Sequence, residues 1–118
     1  MLINEIAKIA GLSKDGIRHY EKMGFFTSTA RSAGSRIYRE YDPSILVTIK
    51  HIRDAQRLGF SLAEIVPLLK AYADAPPSAE QTIEFLDARL VVIREQIASL
   101  QEVEAFIVEK IGRYRSQA

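Results

Sequence analysis

Cysteine is missing from all 118 residues, and its absence excludes disulfides, thiolate metal ligands, iron–sulfur ligation and thiol-based redox or aldehyde sensing. A cysteine-free chain fits a reducing cytoplasm, the expected location. Long hydrophobic runs are missing too. The longest apolar clusters, such as Ile45-Leu46-Val47 and Leu90-Val91-Val92-Ile93, fall far short of the ~20 residues of a membrane span. Asn4, Glu5 and Lys8 interrupt the first turns, so no secretory apolar region opens the chain. Histidine occurs only at positions 19 and 51, each without a partner at ligand spacing, so no metal site and no cofactor are expected. No Gly-rich phosphate loop, G-x-S-x-G or other catalytic constellation occurs, and Glu21 or Asp87 would act alone. At this length one domain is possible and two full ones are not, which argues further against an enzyme.

Charge of one sign is also lacking in the whole, since 16 Lys and Arg oppose 15 Asp and Glu for a net +1. That balance hides a split. Residues 1–60 hold ten bases against six acids, a net +4, whereas residues 61–118 hold six against nine, a net −3. A basic front joined to an acidic back raises the question of nucleic acid at the front. A solvated basic face is the bland reading of the same numbers.

The elements present are mostly helical. Asn4 is expected to cap a short helix with Ile6, Ile9 and Ala10 facing inward, ended by Gly11 in the left-handed conformation. Ser13 caps a second helix carrying Ile17 and Tyr20 on one side and ending at Gly24. Two short helices joined through Gly11-Leu12 match a helix-turn-helix. From Thr27 to Tyr41 the helical period disappears. Ala33-Gly34-Ser35 separates two extended stretches, read as a two-stranded hairpin with Arg31 and Arg36 beside its tip. Asp42-Pro43 restarts a helix with a capping carboxylate before Pro, and that helix runs to about Leu58 and stops at Gly59. Ser61-Leu62-Ala63-Glu64 is a capping box for the next helix, which fades near Asp74 and carries Pro67 in its first turns.

Ala75-Pro76-Pro77 is linker-like, and Ser78-Ala79-Glu80-Gln81 opens the longest element with a second capping box. Ile83, Leu86, Leu90, Ile93, Ile97 and Leu100 follow a 3-4 spacing that continues through Glu104 to Ile107, Ile111 and Tyr114. This is a heptad seam with one polar position. A helix from Ser78 to Ile111 is roughly 50 Å long, against a radius of gyration near ~11 Å for a compact domain of ~75 residues. The expectation is that the helix overhangs its own domain and that a second copy covers its apolar stripe. The organisation expected is a DNA-binding domain over 1–74, a linker at 75–77, a dimerisation helix over 78–114 and a tail at 115–118.

In order and wording these motifs resemble the MerR family of bacterial transcription regulators. The recognition helix of that family reads like Leu12-Ser13-x-x-x-Ile17-Arg18-x-Tyr20-Glu21 followed by Gly24 and Phe25, and its wing like Arg36-Ile37-Tyr38. The clearest match is Arg57-Leu58-Gly59-Phe60-Ser61-Leu62-x-Glu64-Ile65, where the third helix turns into the fourth. The resemblance covers roughly residues 2–70, and the long helix stands where the family has its antiparallel dimerisation coiled coil. It implies a mainly α fold: a winged helix-turn-helix head with a small two-stranded wing, then a long C-terminal helix forming an antiparallel coiled-coil dimer. It also implies a homodimer that binds a pseudo-palindromic site in double-stranded promoter DNA, bends and untwists it, and so brings RNA polymerase onto both promoter elements. Gly16, His19 and Ser35 depart from the family pattern, so no DNA sequence preference is carried over.

Within that frame Lys14, Asp15, Arg18 and His19 lie on the outward side of the second helix, within reach of base edges or phosphates, and Arg18 is the leading contact. Tyr20, Arg36 and Tyr38 are expected on backbone phosphates, setting register. Lys50, Arg53 and Arg57 form a basic stripe on the third helix, read as solvated surface or as a phosphate contact. The seam residues Ile83, Leu86, Leu90, Ile93, Ile97, Leu100, Ile107 and Ile111 are the expected dimer interface. Only Gly112 to Ala118 follow the seam, so neither a cysteine sensing loop nor an appended ligand domain is expected. Either a small apolar ligand binds between the long helix and the Phe60–Tyr72 region or no dedicated effector exists, and the second is the preferred expectation. A different class of function is a coiled-coil adaptor or anti-repressor whose helix-turn-helix binds protein, which predicts only weak, non-specific DNA binding.

Overall fold

The first helix, α1 (Ile3–Ala10), begins two residues earlier than a cap at Asn4 allows. Asn4 lies inside it, and the N-cap is Leu2, which has no side-chain acceptor; the Glu5 carboxylate accepts the Leu2 N–H instead, at 3.2 Å. Long-range pairing explains the shift. The Met1 ammonium donates to the Tyr41 carbonyl at 2.6 Å, the Tyr41 N–H donates to the Met1 carbonyl at 2.7 Å, and Leu2 bridges Glu40. These bonds hold the first two residues extended and leave the helix to start at the next one.

The computed structural model describes Met1–Ala118 and divides into two units, Met1–Pro76 and Pro77–Ala118. In the first unit Gly11 ends α1 at φ 65°, and Ser13 caps α2 (Lys14–Met23) by accepting the Gly16 N–H at 3.0 Å. Gly24, at φ 97°, closes α2. A hairpin of β1 (Thr29–Ala33) and β2 (Arg36–Glu40) follows, antiparallel and paired from Thr29 with Glu40 to Ala33 with Arg36. Its two-residue tip places Gly34 at φ 64°, a conformation a side chain resists.

Next come α3 (Ile45–Arg57) and α4 (Leu62–Ala71). Asp42 acts as expected in part: its carboxylate accepts the Ser44 N–H at 2.8 Å, but Pro43 and Ser44 form a turn and α3 starts only at Ile45. Ser61 and Glu64 close the anticipated capping box at 3.0 and 3.2 Å. Two expectations for α4 need correction. It ends at Ala71, short of Asp74, and Pro67 is its sixth residue, past the first turn, where the ring removes the hydrogen bond to the Ala63 carbonyl.

Ile6, Ile17, Ile45, Ile49, Ile52 and Ile65, with Tyr20, Tyr41 and Ala55, make the core of this unit. Ile45, Ile49 and Ile52 step by four and three, so α3 presents one apolar face to α1 and α4. Each fully buried isoleucine contributes ~1.5–3 kcal/mol of transfer free energy.

The second unit is one helix, α5 (Ala79–Gln117), whose 39 residues make it about 58 Å long. Ser78 and Gln81 cap it reciprocally at 2.9 and 3.1 Å. It runs three residues beyond Tyr114, so the expected tail at 115–118 is helical up to Gln117. None of its residues is buried; the seam positions Ile83, Leu86, Leu90, Ile97, Leu100, Ile107, Ile111 and Tyr114 stand 40–67 % exposed. No helix in the chain is long and apolar enough to cross a membrane.

Candidate nucleic-acid interface

The period of α2 divides its residues sharply. Ile17 and Tyr20 turn into the core, whereas Lys14, Asp15, Arg18 and His19 face outward. Tyr20, expected on a backbone phosphate, is 8 % exposed overall, with its ring packed edge-on to Phe25 at 5.8 Å. Three residues after Ile17, it shares the inward face of the helix. Arg18 bonds Asp15 at 3.3 Å, with both side chains largely in solvent. Such a pair contributes little to stability, so it orients the guanidinium without holding it against a stronger anion.

In the wing, opposed residues share a face. Arg31, Arg36 and Tyr38 lie on one face, where Arg31 bonds Glu40 at 2.6 Å, and Ile37 and Arg39 lie on the other. Arg36 pairs with Ala33 beside the tip.

The start of α1, the outer side of α2 and strand β2 enclose a cleft of about 410 Å³. Arg18 from α2 and Tyr38 from β2 line it together, as do Leu2, Ile3 and Asn4. Arg39 lines it as well, whereas Arg36, the expected phosphate contact of the wing, lies outside it. Lys14, Asp15 and His19 are exposed on α2 outside the cleft lining. Lys50, Arg53 and Arg57 are exposed on α3.

Part of the cleft wall, through Glu21, Arg39 and Tyr41, is a polar brace that no spacing rule announced. Glu21 accepts two hydroxyl hydrogen bonds, one from Ser28 at 2.5 Å and one from Tyr41 at 2.7 Å, and Arg39 donates to Ser28 at 3.3 Å. Side chains seven to twenty residues apart thereby join α2 to the base of the wing. Tyr41 is 2 % exposed, and burial together with the hydrogen bond and negative charge of Glu21 raises its pKa above the ordinary tyrosine value. Its phenol is thus held neutral as a donor. The brace fixes the angle between two surfaces that would have to meet one duplex.

Two family models match the chain: "MerR HTH family regulatory protein" over residues 1–72 and "MerR, DNA binding" over residues 46–109. A probable heavy metal-dependent transcriptional regulator of Haemophilus influenzae is 38 % identical over 104 residues, 87 % of this chain and 79 % of its own. The regulator ZntR of Escherichia coli K12 is 35 % identical, with 86 % and 72 % covered. Among solved structures, PbrR691 from Ralstonia metallidurans in complex with lead(II) superposes with a TM-score of 0.74 at 27 % identity, covering 92 % of this chain and 84 % of that one.

Proposed function

The chain belongs to the MerR family of DNA-binding transcriptional regulators, and from that premise we propose which of its residues do the family's work. It is not an enzyme; it binds promoter DNA as a dimer and acts with RNA polymerase. The protein-binding adaptor reading finds no support among its relatives.

In our reading α2 enters the major groove, with Arg18 as its principal contact and Lys14, Asp15 and His19 along the same outward face. Tyr38 and, from the opposite face of β2, Arg39 contact separate backbone phosphates, and Arg36 reaches further along the duplex from the hairpin tip. The observation that carries this reading is that Arg18 of α2 lines one cleft together with Tyr38 and Arg39, neighbours on opposite faces of β2. Two heads held by Ile83, Leu86, Leu90, Ile93, Ile97, Leu100, Ile107 and Ile111 engage a pseudo-palindromic site and bend and untwist it. Bending 20–30 base pairs costs ~1–6 kcal/mol, supplied by the contacts of both heads. We read the protein as cytoplasmic, the compartment in which bacterial promoter DNA lies.

Mercury and heavy metals appear in the names of several relatives, including a mercuric resistance operon regulatory protein of Shigella flexneri at 32 % identity. The present chain offers no thiolate for such a metal. We read it as controlled without thiolate sensing, so zinc(II) and mercury(II) should leave its melting temperature unchanged; a rise saturating at one metal per protomer would contradict this.

The test of the interface is binding to the DNA upstream of the protein's own gene. Arg18→Ala and Arg39→Ala should each weaken binding by ~1–3 kcal/mol if they contact bases, or lower the salt slope by about one if they contact phosphate. Unchanged affinity and unchanged slope in both variants would contradict the assignment.

A further inference from the structure

The seam of α5 has a property beyond its apolar character: its spacing is a palindrome. From Ile83 to Tyr114 the ten positions follow intervals of 3, 4, 3, 4, 3, 4, 3, 4 and 3, which read the same in both directions about a midpoint between Ile97 and Leu100. A second copy running antiparallel therefore meets every seam position with one of its own, as a two-fold interface requires. Ile83 meets the partner's Tyr114, Leu86 the partner's Ile111, Leu90 the partner's Ile107, Ile93 the partner's Glu104, and Ile97 the partner's Leu100. A shift by one heptad either way leaves two seam positions on each helix without a mate.

Charge selects the same register. In it Glu104, the one charged seam residue, lies across from the partner's Ile93 and beside the partner's Arg94. Shifted by one heptad it lies beside the partner's Asp87, a like charge, or in the other direction beside the partner's Gln101, a neutral amide. At the helix ends Glu80 and the partner's Arg115 occupy matching flanks with opposite charge. One flank opposes like charges, Arg89 with the partner's Lys110, so the choice falls mainly to Glu104. A polar residue at a single seam position typically fixes register at a cost in affinity.

We propose that Glu104, paired with the partner's Arg94, is the register key of the dimer, centring the two α5 helices between Ile97 and Leu100. This rests on the dimeric reading above, and the absence of native cysteine permits a test in which its failure and the failure of that reading give different results.

In the full chain, Leu90→Cys/Ile107→Cys places the only two thiols at positions that meet across the proposed interface, about 25 Å apart along their own helix. Mild oxidation should convert it largely to a covalent dimer on a non-reducing gel, while each single variant and the shifted pair Leu90→Cys/Leu100→Cys stay single chains. Adding Glu104→Leu should tighten the dimer several-fold and let the shifted pair cross-link. Sedimentation under reducing conditions reports whether each variant is dimeric. A dimer that cross-links through the shifted pair with Glu104 present, or through either single variant, overturns the register while leaving dimerisation intact. A dimer whose cross-linking is indifferent to Glu104→Leu overturns the role of Glu104. A chain that sediments as a monomer overturns both readings.

Discussion

The two units place their apolar residues in opposite circumstances. In Met1–Pro76 six isoleucines are at most 4 % exposed, and the polar brace is satisfied within the same chain. In Pro77–Ala118 no residue is buried and Leu100 stands 67 % exposed. The head thus carries its own core, whereas the helix carries half of one and, in the proposed dimer, takes the rest from a second copy. The net charge follows the same division, +3 over residues 1–76 and −2 over residues 77–118, with the basic excess on the unit proposed to meet DNA. Stability and specificity are therefore separable: the first unit should depend on protein concentration little, and the second strongly.

The sharpest way to break this comparison is to put a charge into the seam. Leu90→Asp should dissociate the dimer and lower affinity for a two-fold symmetric site by about 100-fold or more, as the two heads lose their effective concentration, while head melting and half-site binding hold steady. Gel shifts on full and half sites, beside sedimentation, would check this. The converse lesion is Ile52→Ala, at 0 % exposure in α3, which should cost the head ~2–5 kcal/mol in denaturant melts without altering dimerisation through α5.

A subtler variant separates the head's fold from its aim. Tyr41→Phe leaves one Glu21 oxygen without its donor and should cost ~1–3 kcal/mol. DNA affinity should fall beyond what lost stability explains, because the wing is no longer braced to α2; affinity unchanged at saturating folded protein would show that the brace only stabilises. The smallest effect is alkaline. The folded state keeps the Tyr41 proton to a higher pH than the unfolded chain, so its contribution is complete below the ordinary tyrosine pKa of 10.0 and declines as pH rises beyond it. Ultraviolet titration should find one phenol ionising late, coincident with a fall in head stability and none in the helicity of α5.

Local chemistry made much of this architecture legible. Ser13, Ser61 and Ser78 cap the helices their spacing announces, Gly11 and Gly24 take positive φ, and the heptad pattern identifies α5. Positions set by distant partners were not legible. Leu2 displaces Asn4 as the cap because Met1 is tied to Tyr41, forty residues away. Glu21, Ser28, Arg39 and Tyr41 come from segments whose meeting no periodicity encodes. Both arginines of β2 are exposed on opposite faces, so spacing alone did not show which would line the cleft with Arg18. The inward turn of Tyr20, by contrast, was legible, since it lies one helical step from Ile17.

Footprinting on the DNA upstream of the protein's own gene, with salt dependence recorded, tests most directly the claim that two self-sufficient heads are joined by a shared helix pair to read one site. The account predicts protection of a two-fold symmetric site by the intact chain, steep salt dependence, and loss of that pattern in Leu90→Asp while single half-sites still bind weakly. Uniform, weak protection without symmetry, or a symmetric footprint unaffected by Leu90→Asp, would contradict it.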